Sequence, residues 1–175
     1  MKLLLRGLRW FVMVAAFVFV AIQVMRPEKV NSPVDEARAI EAHLKLTPEV
    51  ETIFERSCND CHSQKTDWPW YSNVAPVSWF VVDHVNHGRR HLDFSDWARY
   101  DREDADQMLE AICQLTKHGS MPMSSYTLMH RDAKLSIEDV QTLCGWSEAE
   151  RTRLASKGTS PRASHTFADE VNLQP

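Results

Sequence analysis

Five residues, Cys58-Asn59-Asp60-Cys61-His62, constrain this chain more than any other stretch. Two thiols two residues apart, with an imidazole directly after, serve one of three chemistries: a redox dithiol, a zinc clip or covalent attachment of a haem. Each needs different surroundings. A thioredoxin-like dithiol sits in a βαβ setting, whereas this pair follows a helical pattern with no strand before it. A structural zinc site needs two more ligands at short spacing, and the only other cysteines, Cys113 and Cys144, stand far apart. For a c-type haem the spacing has a direct reason. Two thioether bonds span one edge of a macrocycle while the adjacent imidazole reaches the iron under its centre. The expectation is one covalent haem c on Cys58 and Cys61, with His62 as proximal iron ligand; zinc and dithiol chemistry are the alternatives.

The N-terminus bears on the compartment. Lys2, Arg6 and Arg9 precede an apolar run over residues 10–22. Counted from Leu3, with the two arginines snorkelling, the segment reaches the roughly 20 residues a spanning helix needs. A cleaved signal would end in small residues, but the exit reads Ile22-Gln23-Val24-Met25-Arg26. An uncleaved single-pass transmembrane anchor over 1–26 is therefore expected, with a cleaved signal as the alternative; either way the basic end stays in the cytoplasm. The remainder would lie in the periplasm of a bacterial inner membrane, an oxidising space.

No later segment alternates with period two for long, so an all-α domain is expected. Residues 27–47 read as a linker with a short helix over 35–44, and residues 48–150 as the haem-binding domain. Thr47 caps a helix that has Pro48 first and acidic residues in its opening turn. Pro76 opens another, whose stripe Val77, Phe80, Val81, His84, Val85 and Gly88 is predicted to face the interior. Ser95 is read as the cap of a short turn containing Trp97. Residues 102–119 show the strongest periodicity (Ala105, Met108, Leu109, Ile112, Cys113, Thr116), and Ser136 with Asp139 reads as the capping pair of a last helix. Residues 151–175 are expected to be a polar, disordered tail. A net charge of −4 and the lack of a basic, aromatic-interleaved patch argue against nucleic acid. There is no glycine-rich phosphate loop. Six tryptophans suit a packed interior or a large flat ligand.

A haem iron needs a sixth ligand or an open site, and methionine is the usual thioether in c-type cytochromes. Met1, Met13 and Met25 lie in the anchor segment, and Met108 lies on a packing stripe. Met121 and Met123 remain in "HGSMPMSSY", with Met129 further off. Pro122 holds Met121 out of helical geometry and stiffens the loop, so Met121 is preferred and Met123 is the alternative. His84 is the rival, either as a second imidazole ligand or as a core histidine satisfied by a neighbour; His87 and His91 read as a solvated edge. Cys113 and Cys144 lie on the helices flanking the methionine loop. A disulfide between them would contribute roughly 3–4 kcal/mol in the chain-entropy model; two free buried thiols are the alternative.

The stretches "IFERSCNDCHSQKTDWPWYSNVAPVSW", "HVNHGRR", "LDFSDW", "GSMPMSSYTLMHRDAKLS" and "LCGW" together resemble the haem-binding domain family, small membrane-anchored bacterial proteins akin to the cytochrome c superfamily. The resemblance covers about residues 27–148. It implies a cytochrome c-like helical fold, covalent haem on Cys58 and Cys61, His62 as proximal ligand and Met121 as distal ligand. His84 and Gly88 match recurring positions of the family. The resemblance settles no reaction; the Met121-Pro122 loop, with the Cys113–Cys144 brace, favours an electron carrier over an enzyme: a periplasmic relay with His/Met ligation, passing electrons between redox protein partners. A haem enzyme or gas sensor, peroxidase-like, with an open distal site and His84 or Arg89 acting on bound ligand, is the alternative. A structural haem in an assembly factor is a third.

Overall fold

The computed structural model describes residues 2–157, and among these every regular element is helical. Helix α1 (Lys2–Ile22) is long and apolar enough to cross a membrane. Residues 3–21 are all exposed, so nothing in the protein covers them.

The domain that follows begins with α2 (Ile40–His43), shorter than the helix expected over 35–44. The Asp35 carboxylate accepts from Ala37 N at 3.0 Å, a local bond that competes with helix formation at its start. Helix α3 (Pro48–Ser57) is capped as expected, Thr47 accepting from Val50 N. It buries Val50, Ile53 and Phe54. At Cys58 the backbone leaves helical geometry and re-enters it for one turn, α4 (Asn59–His62). A 3-10 turn at Trp70–Asn73 leads to α5 (Val77–His91), and a second spans Phe94–Arg99. Its cap is Asp93, which accepts from Ser95 N at 2.9 Å, and not Ser95, whose hydroxyl accepts from Gln64 N instead.

Helix α6 (Arg102–Lys117) ends at Gly119, whose φ of +69° is the left-handed conformation that glycine adopts without strain. After α7 (Ser124–Met129) and a 3-10 turn at Arg131–Ala133, the capping pair Ser136 and Asp139 opens α8 (Ile137–Lys157). Helices α6 and α8 pack along their length and carry the bonded pair Cys113–Cys144. The core gathers α3, α6, α8 and the turn at 94–97. Phe54 stacks on Phe94 at 4.6 Å and meets Trp146 edge-on at 5.3 Å, and Trp146 Nε1 donates to Lys45 O.

Three further features differ from expectation. Helix α8 continues past Glu150 to Lys157, because Arg151 pairs with Asp106 on α6, Arg153 donates to the His43 carbonyl and Leu154 packs on the core; the rest of the expected tail lies outside the described residues. The linker is also pinned: Arg89 donates to Val30 O and Asn31 Oδ1, and Ser32 N donates to Gln64 Oε1. On α5 the buried stripe is Ser78, Val82, Val85, Gly88 and Arg89, while Val77 and Phe80 are exposed. The apolar side of this helix faces cavities, not the polypeptide core.

Candidate functional site

The core leaves a cavity of about 420 Å³ between α3–α4, α5, α6 and the loop after α6, within the range typical of small-molecule and cofactor sites. Every candidate ligand meets here: Cys58, Cys61, His62, His84, Met121 and Met123 line its wall.

Both motif thiols are free. Loss of surrounding water pushes the Cys58 thiol up to about 12 and the Cys61 thiol up to about 11, Cys61's negative neighbour Asp60 adding to the latter. A redox dithiol works through a depressed thiol, and these are raised. Among the described residues no group of three His, Cys, Asp or Glu side chains could hold a metal ion by themselves, so the ligand set of a closed zinc site is missing.

His62 shows the organisation a haem ligand needs. Its Nδ1 donates to the Leu92 carbonyl at 2.9 Å, which fixes the ring and leaves the Nε2 lone pair free. Burial draws its pKa below its ordinary value, against the opposing pull of the Leu92 and Gly88 carbonyls. Gly88 explains how α5 comes this close. A Cβ there would stand 2.5 Å from the Cys61 carbonyl oxygen, so any side chain would push α5 off the motif.

The methionine loop is anchored at its root. Ser120 N and Met121 N both donate to the Leu115 carbonyl, at 2.9 and 3.2 Å. Met123 precedes α7 and lines a second, adjoining cavity as well. His84 also borders both cavities; its Nδ1 donates to Phe80 O at 2.8 Å, leaving Nε2 free, and it is not packed in the core. His87 and His91 are exposed but reach the rim of the larger cavity.

The second cavity, about 340 Å³, shares Cys61, His84, Met123 and Tyr126 with the first. Tyr126 donates to Asp60 Oδ2 at 2.7 Å, and burial, reinforced by Asp60, raises the phenol well above its usual value. Asp60 Oδ1 also accepts from Asp67 N. The acidic residue inside the motif therefore holds α4 to α7 and to the loop after it. Nothing in the sequence signals that role.

Arg89 is placed differently from its expected use on a bound ligand. It is buried, and its guanidinium donates to Ser63 O, Val30 O, Asn31 Oδ1 and Thr66 Oγ1 over 2.6–2.8 Å. It ties the linker, the segment after α4 and α5 together, and its donors are committed there.

Thiols kept apart, an oriented imidazole with one free nitrogen and a mostly apolar cavity make a donor set that fits haem. Of comparisons with known proteins, the family model of a haem-binding domain matches residues 17–149. This chain belongs to the haem-binding domain family. Searches among curated proteins and among solved structures found no match.

Proposed function

We propose that this protein is a single-pass, membrane-anchored c-type cytochrome. One covalent haem c would be held in the periplasm by Cys58 and Cys61, with His62 and Met121 as iron ligands, and the protein would relay electrons between redox protein partners. The observation that carries this reading is the His62–Leu92 hydrogen bond beside two free thiols on the wall that also presents Met121. Bound there, haem supplies a one-electron couple, and a thioether ligand raises its potential. His62 is fixed in orientation by the Leu92 carbonyl. The Leu115 carbonyl holds the Met121 backbone, and Met108, Ala111, Ile112 and Leu115 of α6 give the cavity an apolar wall. The Cys113–Cys144 bond braces the two helices beside the loop and suits an oxidising space. Lys2, Arg6 and Arg9 ahead of the apolar run support a cytoplasmic N-terminus.

An enzyme or gas sensor needs a polar group aimed into an open distal site. Arg89 is committed elsewhere, which weighs against that role. The free Nε2 of His84 supports one variant of the relay reading, a bis-histidine iron.

Acid-acetone extraction of the denatured, reduced protein tests covalent attachment. The haem is expected to stay with the chain, in a ratio of one to one. Extraction of the haem into the solvent would contradict the proposal.

A further inference from the structure

Helix α1 does not end in a free tether. The Gln23 side chain pairs with both backbone groups of Ala75, its Nε2 donating to the carbonyl and its Oε1 accepting from the N–H, each at 3.0 Å. The Trp79 indole donates to the Met25 carbonyl. Lys29 donates to Ser72 and Asn73 and lies over the Trp68 ring at 6.0 Å. The exit of α1 is thereby locked against residues 72–79, and the orientation of the domain relative to the helix axis is set.

On and beside that locked segment, large apolar side chains face outward. Trp70 is 73% exposed, Phe80 50%, Val77 44% and Trp79 38%, beside Val24 and Met25 at the helix exit. Trp70, Val77 and Phe80 also wall the smaller cavity together with Met129, so they form one continuous patch. Apolar patches of this kind on soluble surfaces mark contact sites.

We propose that this face, centred on Trp70, Val77, Trp79 and Phe80, rests in the interfacial layer of the bilayer that α1 spans, with the smaller cavity opening onto lipid. The inference builds on the anchor reading of the previous section. Continuity selects the occupant: the patch starts where the spanning helix ends, with Ala75 paired to Gln23 and Trp79 bonded to the Met25 carbonyl. The chemistry agrees. Tryptophan rings are enriched at the headgroup level, where an apolar body and a polar tip are both accommodated. Arg26 and Lys29 beside the patch provide positive charge for lipid phosphates. A seated face also explains why an apolar stripe of α5 turns away from the core.

The test is photocrosslinking of the full-length holoprotein in vesicles of phosphatidylethanolamine and phosphatidylglycerol. Benzoylphenylalanine replaces Phe80, Trp10 in the span, or Glu148, which is exposed on α8. Retained covalent haem confirms that each variant folds. Lipid adducts at positions 80 and 10 and none at 148 are expected. An adduct at 10 without one at 80 would overturn the seated face and leave the anchor standing. Absence of adducts at both would remove the anchor, and the proposal with it. Crosslinking of position 80 to a second copy or to another protein would assign the patch to that partner and overturn the proposal.

Discussion

The Nδ1 of His62 donates to the carbonyl of Leu92 at 2.9 Å, across the junction between the cysteine motif and the end of α5. That bond selects the tautomer, orients the ring and leaves one nitrogen free, as the proposed iron ligand requires. It exists only because α5 lies directly against α4, and Gly88 permits that approach.

Gly88→Ala is the first prediction. The added carbon would meet the Cys61 carbonyl, and overpacking of this kind costs about 2 kcal/mol. Urea unfolding should show a lower midpoint with an unchanged slope, and the spectrum should show a loosened His62–iron bond. Wild-type stability in Gly88→Ala would mean that the helices are not so close.

Arg89→Met should destabilise the protein by about 2–3 kcal/mol, because buried carbonyl and hydroxyl groups lose their donor. Amide exchange should accelerate first at residues 30–31 and 66, which Arg89 holds. A variant that stays stable but loses reactivity toward peroxide would instead place Arg89 over the iron.

Reading the chain in one dimension reaches some of this architecture and misses the rest for physical reasons. On α6 the predicted stripe is buried at Ala105, Leu109, Ile112 and Thr116, because that helix packs on polypeptide. On α5 the same count selects Val85 and Gly88, which are buried, but also Val77, Phe80 and His84, which face cavities, and it passes over the buried Ser78, Val82 and Arg89. Periodicity identifies an apolar side but not what covers it. The end of α8 looks like a tail because its sequence is polar; the Arg151 ion pairs with Asp106 and Glu110 and the Leu154 contact that hold it come from α6 and the core, distant in sequence. The Cys58–His62 motif was legible because its chemistry is local. The partners of His62, Asp60 and Arg89 were not, since each lies on another element.

Replacing Cys113 and Cys144 together by serine should lower stability by about 3–4 kcal/mol, the loop-closure term for a separation of 31 residues. The methionine loop should become more mobile, and its iron bond should be displaced by added imidazole more readily than in the wild type. Equal imidazole affinity would show that the bond does not brace the loop.

The absorption spectrum of the ferric protein, compared with that of Met121→Ala, tests the central claim most directly. The sulfur-to-iron charge-transfer band should be present in the wild type and absent from Met121→Ala. The variant should keep its covalent haem, show a lower potential and bind carbon monoxide. Met123→Ala should keep the band. Loss of the band in Met123→Ala alone would move the ligand by two residues. A wild-type protein that lacks the band and binds carbon monoxide rapidly would contradict His/Met ligation and the relay built on it.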